Sequence, residues 1–239
     1  MKRELLDSLM QARRRGTTCA MLRDLKTGGQ GLYIHDEFTE DFRSSAGLKP
    51  HVLKAISEDI SGRLPEPYQD IFVQVFNPPV RLIVVGAVHI AQALAPMAAM
   101  AGYGVTVIDP RRAFATDQRF PGVTLLDEWP DDGLAGLKPD SRTAVVTLTH
   151  DPKLDDAALS VALKSRCFYI GCLGSRKTHQ ARLNRLTRMG FGEADLARIH
   201  GPVGLPIGAL TPAEIAVSTL AQITQIRRAK PAAPQSAAA

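Results

Sequence analysis

Apolar residues near the start of the chain return at helical spacing. Leu5, Leu6, Leu9 and Met10 share one side of a helix that the pattern predicts over residues 3–14, with Gly16 ending it. Residues 17–23 (TTCAMLR) and 31–35 (GLYIH) read as two short strands around the Gly28-Gly29 turn, and 50–60 as a second helix. Asn77-Pro78-Pro79 is the clearest break in this half. Two adjacent prolines can neither donate to a strand ladder nor continue a helix, so a domain boundary is placed there.

Beyond that break the pattern becomes one of apolar runs alternating with helical periods. Residues 81–85 (RLIVV) are a strand of the buried parallel type. A helix follows over 89–101, with Ile90, Leu94, Met97 and Ala101 forming its stripe and Pro96 expected to kink it. Residues 104–108 are the next strand, closing on Asp109-Pro110, and a short strand is expected near 123–126. Residues 143–149 (TAVVTLT) and 167–170 (CFYI) read as further strands. Residues 155–164 and 175–189 read as helices, the latter with Leu183, Leu186 and Met189 on one side. A last helix over 212–228 opens with Thr211-Pro212-Ala213-Glu214, a capping box with proline at the first helical position. Strands alternating with helices over this length imply α/β architecture. The expectation is a small α+β N-terminal domain over 1–77, a Rossmann-like, mostly parallel sheet domain over 78–229, and a disordered tail over 230–239.

Composition narrows the function classes. The chain of 239 residues is 45% hydrophobic and 22% charged, ordinary values for a globular protein. A net charge of +5 suits an anionic ligand or an acidic partner. Much of the excess lies at the ends, in Arg13-Arg14-Arg15 and in Arg227, Arg228 and Lys230, and aromatic residues make up only 5%, so no base-stacking platform and no nucleic-acid partner is expected. Cys19, Cys167 and Cys172 form no Cys-x-x-Cys pair, which argues against a disulfide framework and against structural zinc. Neither a signal peptide nor a membrane span is read from the chain, and a reducing, cytoplasmic setting is the expectation.

In open α/β sheets ligands bind beyond the carboxyl ends of the strands, and the chemistry-bearing residues collect there. His89 follows the first strand of the second domain, Asp109 and Arg111 the second, and Thr149, His150 and Asp151 the 143–149 strand. The loop Gly171-Cys172-Leu173-Gly174-Ser175-Arg176-Lys177-Thr178-His179 follows the next. Gly171 and Gly174 allow close approach and positive φ, Ser175 can cap the helix, its free amides favour an anion, and Arg176 and Lys177 add charge. That is the chemistry of a phosphate site; the alternative is an ordinary βα turn with exposed basic residues. The first turn, from Gly86 to Ala91, resembles the dinucleotide fingerprint, and Asp109 sits where a ribose-binding acid would. Val88 occupies the position of the second glycine, and its branched side chain favours a Rossmann turn that binds no dinucleotide.

Three further features stay open at this stage. The segment from Gly201 to Ala209 either closes over a ligand or is a loop stiffened by Pro202 and Pro206. Cys172 is either a soft ligand or sulfur relay, or a small buried residue. His89, His150, His179 and Asp151 could be a metal set, but none shares a tight His-x-x-x-His spacing.

Taken in order, GAVHIAQALAPMA (86–98), VTVIDPR (105–111), TAVVTLTHDPKLDD (143–156), FYIGCLGSRKTH (168–179) and GPVGLPIGALTPAEIAVS (201–218) resemble the C-terminal domain of the XdhC/CoxI family over 81–228. The resemblance implies an accessory, non-catalytic protein for a molybdenum hydroxylase of the xanthine dehydrogenase or carbon monoxide dehydrogenase type. Such a protein binds molybdenum cofactor (molybdopterin), assists its sulfuration or insertion, and meets the apo-enzyme and a cysteine desulfurase; a homodimer is compatible with it. The family's glycine-glycine-cysteine segment, which presents a thiol to the cofactor, is absent: Gly28-Gly29 is followed by Gln30, and the N-terminal domain looks shortened. Either Cys172 substitutes for that thiol or this member performs only a docking step. The competing readings are an NAD(P)-dependent oxidoreductase and an interaction module without a ligand.

Overall fold

The computed structural model describes residues 3–229, so the tail expected over 230–239 lies outside the described residues. The chain divides into two compact units, Met1–Pro78 and Pro79–Ala239.

In the first unit α1 (Arg3–Arg14) precedes β1 (Cys19–Asp24), β2 (Gln30–Ile34) and β3 (Glu37–Phe38); after two short 3-10 turns come α2 (Lys49–Glu58), β4 (Gly62–Arg63) and β5 (Ile71–Phe76). The strands form one antiparallel sheet in the order β3-β2-β1-β5-β4. Because strand side chains alternate between faces, β1 serves two cores. Ala20 and Leu22 pack with Val52 of α2, while Cys19 packs with Leu5 and Leu9 of α1. The buried stripe of α1 is Leu5, Leu9 and Ala12; Leu6 and Met10, expected on it, are exposed. A helix on one sheet buries a narrow stripe, and four apolar residues in two adjacent pairs span more than it can cover. β5 is an addition to the elements expected from the sequence, although Ile71, Val73 and Val75 alternate with Phe72, Gln74 and Phe76 in the strand period.

The second unit runs β6 (Val80–Val85), α3 (His89–Met100), β7 (Tyr103–Ile108), β8 (Thr124–Leu126), α4 (Pro130–Leu137), β9 (Thr143–Thr147), α5 (Pro152–Lys164), β10 (Tyr169–Cys172), α6 (Arg176–Arg188), α7 (Glu193–Leu196), β11 (Ile199–His200) and α8 (Pro212–Arg228). All its strands are parallel, in the order β11-β10-β9-β6-β7-β8. Counted from β6, this is the doubly wound order 3-2-1-4-5-6, whose direction reverses between β6 and β9. One face of the sheet is covered by α3 and α8 through Ala91, Leu94, Ala95, Ala98, Ala216 and Ile223. The other is covered by α4, α5 and α6 through Leu134, Ala158, Leu159, Ala162 and Leu186.

Several expectations shift by a few residues. The alanine stripe of α3 faces the core, whereas Ile90 and Met97 are only partly buried and Ala101 is exposed; small side chains let the helix lie close to the sheet and to α8. The helix runs through Pro96 without interruption. In α6 the inward residues are Arg182 and Leu186, and Met189 is exposed at 53%. β10 starts at Tyr169 rather than at Cys167, because Cys167 lies in a turn where its N–H donates to the Ser165 hydroxyl. α5 starts at Pro152, since the Asp151 carboxylate caps it by accepting from the Lys153 amide.

Candidate functional site

The carboxyl ends of β6, β7, β9 and β10 bring the sequence candidates to one edge of the second unit, and the structure sorts them into groups that face inward and groups that face solvent.

The first turn is held from below. Gly86 is buried at φ +109°, and a Cβ there would lie 2.7 Å from Thr149 Cγ2, so this glycine accommodates Thr149 of the neighbouring loop. Asp109 is fully buried at the end of β7. One carboxylate oxygen accepts the Ala87 amide (2.8 Å) and Arg111 Nη2 (2.7 Å), and the other accepts Arg111 Nε (2.8 Å) and the Arg111 amide (3.0 Å). Burial pushes its pKa up, but these bonds and the guanidinium outweigh that effect and hold it below the usual carboxylate range. Asp109 is thus directed into the protein, fixing the turn. Val88 packs its side chain against the core, and His89 opens α3 and is exposed.

The loop after β9 is built on Thr149. Its hydroxyl donates to Asp155 Oδ1 (2.6 Å) and accepts the Asp151 amide (3.0 Å), while its own amide reaches Asp155 Oδ1 at 3.3 Å. His150 between them is exposed at φ +61°, a left-handed conformation that costs a non-glycine residue about 1 kcal/mol. Asp155 is 1% exposed; burial lifts its pKa, against the opposing effects of Thr149 and Arg182. Arg182, also 1% exposed, places Nη2 2.9 Å from the Leu173 carbonyl and 3.5 Å from Asp155 Oδ2. Neither Asp155 nor Arg182 is among the residues singled out from the sequence. Their signal is a charge inside an apolar stripe: Asp155 precedes Ala158, Leu159 and Ala162 at helical spacing, and Arg182 precedes Leu186.

In the loop after β10, Gly171 is buried within the strand. A Cβ there would meet Val203 at 2.7 Å and Tyr169 at 2.8 Å, so it makes room for the protein's own side chains rather than for a ligand. Cys172 is fully buried, and desolvation pushes its thiol up to about 12. Gly174 takes φ +134°, turning the chain into α6, and the Ser175 hydroxyl caps that helix by accepting the Thr178 amide (3.2 Å). Ser175, Arg176, Lys177 and Thr178 are exposed around the helix start. His179 is half-buried against Gly201; burial first and the Arg182 charge second lower its pKa, leaving the imidazole neutral at pH 7. His200 has no counterpart among the sequence candidates, yet its ring stacks on Tyr169 with centroids 4.9 Å apart and planes 5° from parallel. The Tyr169 hydroxyl donates to Gln222 Oε1, which also accepts the Gly204 amide, tying the segment after β11 to α8. Glu214 completes the capping box of α8.

Among the described residues no group of three or more His, Cys, Asp or Glu side chains could hold a metal ion, so the set of His89, His150, Asp151 and His179 is not gathered into one. No helix among them is long and apolar enough to cross a membrane.

Residues 82–223 match the model of the XdhC Rossmann domain. The chain belongs to the XdhC family. Over 181 residues it is 33% identical to the uncharacterized protein YqeB of Escherichia coli, covering 74% of this chain and 32% of YqeB. It is 35% identical over 160 residues to a probable xanthine dehydrogenase subunit of Bacillus subtilis (66% and 46% of the two chains). It is 32% identical over 152 residues to the molybdenum cofactor insertion chaperone PaoD of Escherichia coli (64% and 42%). The chain thus spans 32–46% of the length of these curated relatives. The crystal structure of a xanthine dehydrogenase from Bacillus halodurans superposes with a TM-score of 0.74 at 24% identity, covering 95% of this chain and 67% of that one, which establishes the shared fold.

Proposed function

We propose that this XdhC-family chain is a maturation factor for a molybdenum hydroxylase, holding molybdenum cofactor as cargo at the carboxyl edge of its parallel sheet for insertion into the apo-enzyme. The observation that carries the reading is the solvent-facing set at one edge: Ser175, Arg176, Lys177 and Thr178 around the start of α6, with His150 presented from the adjoining loop. A capped helix start with two basic side chains has the donors that a phosphate requires. The exposed imidazoles of His89 and His150 can hydrogen-bond the edges of a pterin. The PaoD relative, named a molybdenum cofactor insertion chaperone, supports the same cargo.

The chain's own thiols do not fit a sulfuration step. Cys19, Cys167 and Cys172 are all buried, and burial raises the pKa of each, so none offers a thiolate to an outside group. Sulfur would come from a separate protein such as a cysteine desulfurase, and this chain's part would be holding and delivery. An NAD(P)-dependent oxidoreductase is disfavoured by Asp109, whose carboxylate is committed to Ala87 and Arg111 instead of facing a ribose.

The test is to purify the protein from cells that make the cofactor but lack the partner hydroxylase, then measure molybdenum and oxidised-pterin fluorescence. Both should co-purify with the wild-type chain. Arg176→Ala with Lys177→Ala should lower retained pterin about tenfold or more, given about 1.5–3 kcal/mol for each charged hydrogen bond lost. Absence of pterin and molybdenum from the wild-type protein would end this reading.

A further inference from the structure

We propose that Asp155 and Arg182, to which the function above assigns nothing, are positioning residues that lock the loop after β9 to the loop after β10. The contacts form one continuous path. Thr149 lies over Gly86, its hydroxyl and amide both bind Asp155 Oδ1, Asp155 Oδ2 faces Arg182 Nη2, and the same Nη2 donates to the Leu173 carbonyl. Three strand-end loops are therefore referenced to one buried carboxyl–guanidinium pair. The left-handed His150 and the cap at Ser175 stand on the two loops it joins.

Stability alone does not account for this pair. A buried ion pair is often neutral or unfavourable compared with packed apolar residues of similar volume. This one also leaves Arg182 Nε and Nη1 buried without a hydrogen-bond partner among the described residues. Its bonds make sense as geometry: they fix where His150 stands relative to the start of α6, the relation that a rigid two-part ligand needs. The proposal rests on the cofactor-binding reading only for the identity of that ligand.

The decisive measurement is amide hydrogen exchange on the intact chain, which needs no ligand. Among the described residues Arg182 hydrogen-bonds Asp155 and Leu173 and no group of residues 149–151, yet Arg182→Met should speed exchange of the Asp151 amide at least tenfold. Asp155→Asn should likewise speed exchange of the Leu173 amide, while Val145 and Ile170 inside the sheet stay protected. The double variant Asp155→Leu/Arg182→Met covers the case in which a single variant fails to fold. It should melt at or above the wild-type temperature, show both loops exchanging fast, and retain at least tenfold less oxidised pterin. Unchanged exchange of Asp151 in both Arg182→Met and the folded double variant would overturn the proposal. So would a fall in Tm of more than about 10 °C with the two loops loosened no more than the strands, the mark of an ordinary core element. If the wild-type chain retains no pterin, the cofactor reading falls, and the exchange results still decide whether the loops are coupled.

Discussion

Asp109 offers a sharp test of how the first turn of the Rossmann unit is held. Asp109→Ala removes the acceptor of the Ala87 amide, which is buried, and frees Arg111, whose side chain is 40% exposed and can rehydrate. Leaving a buried N–H unpaired costs about 1–3 kcal/mol, and the loss of charge-assisted bonds to a half-exposed arginine adds about 1 kcal/mol. Together they come to about 3 kcal/mol, or about 6–12 °C in Tm for a unit of this size. Asp109→Asn should cost less, because an amide oxygen can still accept from Ala87. The assay is urea unfolding followed by fluorescence of Trp129, the single tryptophan, which immediately precedes α4 within the same unit. The pH dependence should follow the carboxylate. Its folded pKa lies below the unfolded one, so its contribution is full above the unfolded pKa of about 4 and disappears as pH falls through the folded value. The gap between wild type and Asp109→Ala should therefore narrow as pH falls through that folded value, down to the part that a protonated Asp109, still able to accept from the Ala87 amide, retains. A cost under about 1 kcal/mol at pH 7, or a difference that persists undiminished at low pH, would refute the assignment of Asp109 as the group that fixes this turn.

The remaining predictions concern packing and thiol chemistry. Native protein at pH 8 should react with a thiol reagent at none of its three cysteines on the minutes scale, and at all three after denaturation; rapid native labelling of Cys172 would restore it as a candidate sulfur relay. Gly171→Ala should cost about 1–3 kcal/mol, since its Cβ has no space against Val203 and Tyr169. Gly104→Ala in β7 is the control: nothing lies within 4 Å of the added carbon, and its stability should stay within about 0.5 kcal/mol of wild type. Equal effects at the two glycines would mean that the close contacts at Gly171 relax without penalty.

The fold of the second unit is legible because parallel strands buried on both faces leave apolar runs that stand out from the helices between them. RLIVV (81–85) and TAVVTLT (143–149) need no partner information to be read. What escapes depends on partners that sequence spacing does not reveal. β11 has two residues and exists through its pairing with β10. α5 begins three residues before its expected start because Asp151, weighed in sequence as a ligand, is its cap. Site glycines mislead for the same reason. Gly86 and Gly171 look in sequence like concessions to a ligand, and in space they are concessions to Thr149, Val203 and Tyr169. Exposure sorts the rest. Arg176, Lys177 and His150 face solvent, whereas Cys172 and Asp109 do not, and period-counting cannot separate the two groups because both occupy strand-end loops.

That sorting bears on how an XdhC-type edge could both hold and release a cargo. Groups that can touch a ligand, among them His89, His150, Arg176 and Lys177, are exposed side chains with room to change rotamer, so they cost little to rearrange when a ligand arrives or leaves. The rigidity lies one layer below, in Asp109 with Ala87 and in Thr149, Asp155 and Arg182, whose bonds go to backbone groups of the loops that carry the exposed residues. Preorganised loops reduce the ordering cost of binding. Exposed basic side chains such as Arg176 and Lys177 would make individually weak, exchangeable contacts to the cargo proposed above. An enzyme that must hold a cofactor through many turnovers gains from burying the contacts themselves. A delivery protein of the kind proposed above would gain from the division seen here, with fixed loops under solvated side chains.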